Sequence, residues 1–352
     1  MLDATIINNR NALLSLTYGH GLVQCWLGLR APCEGTIQPQ GLYGRESQTE
    51  ALVTELEGLT TTTSERFAFI ATKASRIGRR ILLCRCMGGN ERTTANALNR
   101  LDEWWSVIKS EQASEEVCVT SHGSRSRLTE EELYCELGRL KETLDVSEVP
   151  RGLPLNFDPA VPAPPGAIPE PLYMPDHQQA MELAAYSSAH ISCDESHLRT
   201  LGSPTFKKNE SRNPWLHLLL RVAAGLDPAE CSRRNMYRQG ICHYVHCAAH
   251  LLQDLEAIHF LDGLYQRMMD AGGYYEDCFT PLSLSSLCNK LLCRELTRGR
   301  TVFLLCPTYS TWTTRDILFS KGHEEYFMIF GREADGRYFN DLTSLNNLDL
   351  SN

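Results

Sequence analysis

The sequence predicts an α+β protein, with a C-terminal domain in which helices precede an antiparallel sheet and an N-terminal domain of mixed helices and strands. The chain has 352 residues, of which 42% are hydrophobic and 22% charged. This is more than twice the ~150 residues expected of one domain, and the composition is typical of a folded globular protein. Nine of the sixteen prolines fall between residues 150 and 175, a density that disfavours helices and sheet ladders. We therefore expect domains at 1–145 and 177–352, joined by a proline-rich linker at 146–176.

The predicted N-terminal domain contains both kinds of hydrophobic periodicity. Helical spacing is found at 47–59, 91–109 and 129–144, and short β-like runs are found at 80–86 and 117–120. Thr129 precedes three glutamates, an arrangement that favours a helix start because it provides an N-cap and an acidic first turn. No catalytic motif is found here, so the expected role of this domain is to bind a partner.

The predicted C-terminal domain has its helices first and its strands last. Helical patterns cover 177–190, 213–226, 242–258, 262–271 and 284–298, and strand patterns cover 301–305, 324–330 and 337–341. Asp335-Gly336 lies between the last two strands and is a tight-turn signal. The sequence therefore predicts that these two strands form an antiparallel hairpin.

Charge and cysteine content restrict the expected partners and location. The net charge of −9 argues against a nucleic-acid surface. The longest apolar runs are far shorter than the ~20 residues that span a bilayer, and the N-terminus lacks the basic-then-apolar order of a signal peptide. The fourteen cysteines are dispersed along the chain, which favours a reducing compartment. We expect a cytoplasmic protein, without a membrane-spanning segment, that acts on another protein.

Cys242 is the candidate nucleophile. It follows Gly240-Ile241 at the predicted start of a helix, where unpaired backbone N–H groups and the helix dipole favour a thiolate. His323, at the start of a predicted strand, is the candidate base. The returning strand ends in Asn340-Asp341, and because successive strand residues face opposite sides, only one of the two can orient the imidazole.

These residues resemble the papain-like cysteine hydrolases of the compact Cys-His-Asp kind, in particular bacterial type III effectors of the YopT and AvrPphB protease types and the OspI glutamine-deamidase type. The resemblance covers 239–343 and consists of chain order and motif context. It implies a papain-like fold and the cleavage of an amide bond through a thioacyl intermediate, without a metal or another cofactor. As an effector, the protein would act in the host cytosol.

The resemblance also assigns roles to individual residues. It implies that Cys242 is the nucleophile, His323 the general base and acid, and Asp341 the residue that orients His323. Asn340 is the alternative orienting residue. Gln239 is the candidate donor to the oxyanion, together with the backbone N–H of Cys242.

Two alternatives belong to other functional classes. The predicted helix carries five side chains that can bind a metal: Cys242, His243, His246, Cys247 and His250. Some of them share a face at i, i+4 spacing, which makes a zinc site conceivable. Segment 283–292 resembles the BC box by which adaptor proteins bind elongin C. The same leucine spacing also describes an amphipathic helix packed on a core.

Overall fold

The computed structural model describes residues 62–88, 130–163, 169–201, 203, 212–235, 239–276, 281–308 and 326–344. Within these residues the chain forms nine helices and three strands. The helices are α1 (Thr63–Gly88), α2 (Glu130–Asp145), α3 (His177–Ser192), α4 (Glu195–Leu201), α5 (Pro214–Gly225), α6 (Pro228–Arg234), α7 (Ile241–Leu252), α8 (Leu255–Asp270) and α9 (Leu282–Thr297). The strands are β1 (Thr301–Thr308), β2 (Tyr326–Arg332) and β3 (Tyr338–Ser344). This is a mixed helix and sheet fold, as the sequence predicts. The predicted elements at 47–59, 91–109 and 117–120 lie outside the described residues.

Helix α1 corrects one sequence-based expectation. The predicted β-like run at 80–86 is the last part of this 26-residue helix. Thr62 and Glu65 cap its start, because each accepts a hydrogen bond from the backbone N–H of the other, as in a capping box. The buried side chains then recur every three or four residues, a helical spacing that the short 80–86 window does not reveal. They are Phe67, Ile70, Ala74, Ile77 and Ile81.

Helices α1 and α2, from the predicted N-terminal domain, pack in the same hydrophobic cluster as the helices that follow the proline-rich segment. Helix α2 contributes Leu133, Leu137, Leu140 and Leu144, each at most 1% exposed. Helix α3 packs against α1, α5 and α7. The division into two domains stays a prediction, and the described parts of both share one core. Residues 146–163 and 169–176 form neither a helix nor a strand.

The helix predicted at 242–258 is two helices. The break comes at Gln253, whose φ of 54° is left-handed, and Asp254 then caps α8 by accepting a hydrogen bond from the Ala257 N–H. The Gln253 side chain makes two hydrogen bonds to β1. It accepts from the Val302 N–H at 2.9 Å and donates to the Val302 carbonyl at 2.9 Å. The break therefore ties the end of α7 to the sheet.

The three strands form one antiparallel sheet in the order β1-β2-β3. The β2-β3 hairpin is confirmed, with Ile329 opposite Asp341. Gly336 has the positive φ of 87° that its turn requires. The seven-residue helices α4 and α6 are not predicted by the sequence pattern, since a short helix shows too little periodicity. No helix in the described part of the chain combines the length and apolarity needed to cross a bilayer.

We predict opposite effects from two neighbouring substitutions in α2. Leu137→Ala should lower the free energy of unfolding by about 2–5 kcal/mol, because it leaves a cavity in the core. Gly138→Ala should raise it by about 0.5–1 kcal/mol, because a Cβ at Gly138 meets no atom within 4 Å and alanine favours a helix. Urea unfolding followed by circular dichroism measures both. Two separate transitions, with only one shifted by Leu137→Ala, would contradict the shared core.

Candidate functional site

The N-terminus of α7 is bonded to a buried carboxylate. Glu276, 4% exposed, accepts hydrogen bonds from the Ile241 N–H at 2.6 Å and the Cys242 N–H at 2.8 Å. The amide of Asn235 donates a third bond to it at 3.0 Å. Gly240 permits this approach, since a Cβ there would lie 2.1 Å from the Glu276 carboxyl carbon. The start of α7 is where the sequence predicts the nucleophile. Its N–H groups therefore stabilise the Glu276 carboxylate.

Cys242 is in the first turn of α7, as the sequence predicts. Its side chain faces α8, where Sγ lies 3.7 Å from Met268 Sδ. The residue is only 4% exposed and belongs to the main hydrophobic cluster.

The structure describes the proposed partners of Cys242 only in part. His323 lies outside the described residues, as does the side chain of Asn340. Asp341 is in β3, and its carboxylate accepts a hydrogen bond from Arg300 Nη1 at 2.7 Å. Arg300 also bonds to Glu295 and Glu333, so Asp341 is part of an ion-pair network at the edge of the sheet. The Cys242-His323-Asp341 triad stays a prediction.

A different thiol on α7 lies in a group of polar and charged side chains. Cys247 Sγ is 3.6 Å from His243 Nε2, one helical turn earlier, as expected of side chains at i, i+4. Arg79 of α1 donates to the same sulfur from Nη2 at 3.5 Å. The Ser75 hydroxyl makes a further hydrogen bond to it. One imidazole, one guanidinium and one hydroxyl therefore surround a buried sulfur.

These neighbours change the ionisation of Cys247. Burial by itself raises the pKa of the thiol, but the charges of His243 and Arg79 and the hydrogen bonds from His243 and Ser75 outweigh it. Together they lower the pKa of Cys247 from its ordinary value near 9 to about 6. This lowered pKa favours the thiolate, which is the nucleophilic form.

Gln239 lies beside this pair. Its Nε2 is 3.4 Å from His243 Nε2 and donates to Thr72 Oγ1 at 2.6 Å. The sequence predicts Gln239 as an oxyanion donor for Cys242. In the structure its amide is placed against the imidazole that contacts Cys247.

A small cavity adjoins the sulfur. Its volume is about 20 Å³, enough for roughly one water molecule. The residues that line it come from α1, α3, α4, α7 and β1: Ala74, Ser75, Gly78, Arg79, Leu82, Ser192, Leu201, Cys247, His250, Leu251, Val302 and Phe303. Cys247 and Arg79 therefore face a space that a small molecule can occupy.

The metal-binding alternative finds little geometric support. Among the described residues, no three His, Cys, Asp or Glu side chains form a group suited to a metal ion. His250 Nε2 donates to the Val302 carbonyl at 3.0 Å. Burial, with Arg79 nearby, lowers the pKa of His250 to about 4. Cys242 faces α8, and Cys247 already contacts a cation.

The BC-box-like segment forms most of α9. Leu284, Leu287 and Cys288 are half-buried and pack against the buried pair Leu291 and Phe327. This is the arrangement of an amphipathic helix that packs on a sheet.

Arg79 and Ser75 are not predicted as site residues by the sequence pattern. Arg79 lies 168 residues before Cys247, and no motif links the two positions. The sequence shows only that His243 and Cys247 share one face of a predicted helix, because they are four positions apart. Comparisons with protein-family models, curated proteins and solved structures found no match to this chain. A functional assignment therefore rests on the chemistry of the site.

We predict that Glu276→Gln destabilises the protein by about 1–3 kcal/mol. Glutamine has one acceptor oxygen, so one of the two backbone N–H groups at the start of α7 would be left buried without a partner. Urea unfolding measures the change. Glu142→Gln, on the exposed face of α2, is the control and should stay within about 0.5 kcal/mol of wild type. Equal effects of the two substitutions would contradict the role given to Glu276.

We also predict a pH-dependent contribution of Cys247 to stability. Because the folded-state pKa is lowered, the ionised thiol stabilises the protein fully above its ordinary pKa, and this stabilisation is lost as the pH falls from near 9 to about 6. The unfolding free energy of wild type, minus that of Cys247→Ser, should therefore increase with pH across this range. Urea unfolding of both proteins measures it. A difference independent of pH would mean that the thiol is not ionised by its neighbours.

Proposed function

We propose that this protein is a thiol hydrolase that acts on amide bonds of a protein substrate, with Cys247 as nucleophile and His243 as proton carrier. The observation that carries the proposal is the 3.6 Å contact between Cys247 Sγ and His243 Nε2, with the Arg79 guanidinium on the same sulfur. Reactive cysteines are typically placed beside such cations.

The reaction would proceed in two steps. The Cys247 thiolate attacks the carbonyl carbon of the amide, and the imidazolium of His243 gives its Nε2 proton to the leaving nitrogen. Water then attacks the thioacyl intermediate, His243 takes a proton from it, and the acid leaves with regeneration of the thiolate. The cavity beside Cys247 has room for one water molecule, which is the co-reactant of the second step.

Arg79 is suited to stabilising the charge that develops on the carbonyl oxygen, because its guanidinium lines the cavity and lies 3.5 Å from the sulfur. Both protease and glutamine-deamidase activity fit this chemistry. The leaving group is a main-chain amine in the first case and ammonia in the second.

The sequence offers a competing assignment, in which Cys242 is the nucleophile with His323 and with Asp341 or Asn340. The two assignments name different sulfurs on the same helix. They are five positions apart in the sequence, which places their side chains about 140° apart around the helix axis. A reagent that acylates the nucleophile therefore distinguishes them.

The experiment is reaction of the full chain with p-nitrophenyl acetate, a general acyl donor, at neutral pH. We expect a burst of p-nitrophenolate followed by slow turnover, and a protein mass increased by one acetyl group. Peptide mapping of the quenched protein should place the acetyl group on Cys247. The burst should be lost in Cys247→Ser and strongly reduced in His243→Ala.

Two matched variants serve as controls. Cys242→Ser should keep the burst. His259→Ala removes the imidazole that lies 3.6 Å from Cys293 Sγ, a cysteine–histidine contact outside the cavity, and it should also leave the burst unchanged. Acetylation of Cys242 would overturn the assignment of Cys247, and a protein that no acyl donor modifies would overturn the proposed hydrolase.

A further inference from the structure

The space beside Cys247 is suited to a small reactant. The cavity of about 20 Å³ holds little more than one water molecule. Much of its wall is apolar, and Ser75 and Arg79 are among its hydrogen-bond donors. Cys247 itself is 5% exposed. A reactant suited to this space is neutral, has about two non-hydrogen atoms and can accept hydrogen bonds.

Hydrogen peroxide has these properties, and a thiolate is the form of cysteine that it oxidises. We propose that Cys247 is a peroxide-reactive thiol, which hydrogen peroxide converts to sulfenic acid within this cavity. The inference rests on the same Cys247-His243-Arg79 cluster as the proposed hydrolase. It adds regulation to that site, because a sulfenic acid cannot attack a carbonyl carbon and the oxidised protein would lack hydrolase activity.

The oxidation balances with groups present at the site. The sulfur attacks one oxygen of the peroxide, so an S–O bond forms and the O–O bond breaks. The other oxygen leaves with the bonding electron pair and takes the Nε2 proton of His243, which gives water. Two electrons pass from sulfur to peroxide. The guanidinium of Arg79, 3.5 Å from the sulfur, is placed to stabilise the charge on the departing oxygen.

Other described cysteines have different surroundings. Burial raises the pKa of the Cys193 thiol to about 12. Burial and nearby carboxylates also raise the pKa of Cys231. Their thiols stay protonated at neutral pH and react slowly. Cys293 has a histidine contact like that of Cys247, but it does not line the cavity. The labelling rate of Cys293 therefore shows the effect of a neighbouring histidine alone. Its difference from the rate of Cys247 shows the effect of the whole cluster.

The test treats the full chain with hydrogen peroxide and traps sulfenic acid with dimedone. Mass spectrometry of peptides locates and quantifies the adduct. With hydrogen peroxide, Cys247 should be labelled about tenfold or more faster than Cys293, because both Arg79 and His243 contact its sulfur.

Variants of Arg79 test the cluster. Arg79→Met should slow labelling of Cys247 by about tenfold, whereas Arg79→Lys keeps the positive charge and should retain most of the rate. Circular dichroism confirms that both variants fold. Equal labelling of Cys247 and Cys293, or no effect of Arg79→Met, would each overturn the proposal.

The outcome is distinguishable from that of the hydrolase experiment. Acetylation of Cys247 without dimedone labelling would overturn the peroxide reaction and support the hydrolase. Dimedone labelling without acetylation would support the peroxide reaction and overturn the hydrolase. If both occur, pretreatment with hydrogen peroxide should abolish the p-nitrophenolate burst, and reduction with dithiothreitol should restore it. A burst that persists after full oxidation of Cys247 would overturn the regulatory role.

Discussion

The bond between the Glu276 carboxylate and the start of α7 fixes the helix on which the site is built. Glu276 accepts the first two backbone N–H groups of that helix, and Asn235 bonds to Glu276 and to His177 Nε2. The other end of α7 is held by the two bonds between Gln253 and Val302. With both ends fixed, His243 and Cys247 keep one orientation toward α1. Hydrogen bonds to charged groups are stronger than those between neutral groups. The Glu276 carboxylate is therefore well suited to hold the start of α7.

The site also depends on contact between distant parts of the chain. Cys247 and His243 belong to α7, whereas Arg79 and Ser75 belong to α1, which packs against α3 and β1. A thiolate inside a protein is costly because burial removes it from water. The guanidinium and imidazole offset that cost only where the two helices are held together. The shared hydrophobic core is therefore a requirement of the site as well as a source of stability.

Sequence patterns predict the parts of this fold that depend on local residues. The order of helices before strands, the Asp335-Gly336 hairpin and most helix positions follow from periodicity and turn chemistry. The prediction errors arise where contacts between residues far apart in the sequence determine the local structure. The helix predicted at 242–258 breaks at Gln253 because that side chain bonds to β1, and the 80–86 run continues a helix whose buried face meets the core. For the same reason Arg79 was not foreseen, since its relation to Cys247 is created by packing across 168 residues.

The two cysteines of α7 show why position along a helix does not by itself decide reactivity. Cys242 has the location that sequence reasoning favours, in the first turn, where N–H groups and the dipole can stabilise an anion. Those N–H groups are bonded to Glu276, so the anion they stabilise is a carboxylate. Cys247 lies in the second turn, where the backbone N–H groups are used within the helix, and its negative charge is compensated by side chains instead. A thiolate that depends on side-chain cations is sensitive to substitution and to the packing of α1. This dependence makes Cys247 chemically distinct from the cysteines that burial keeps protonated.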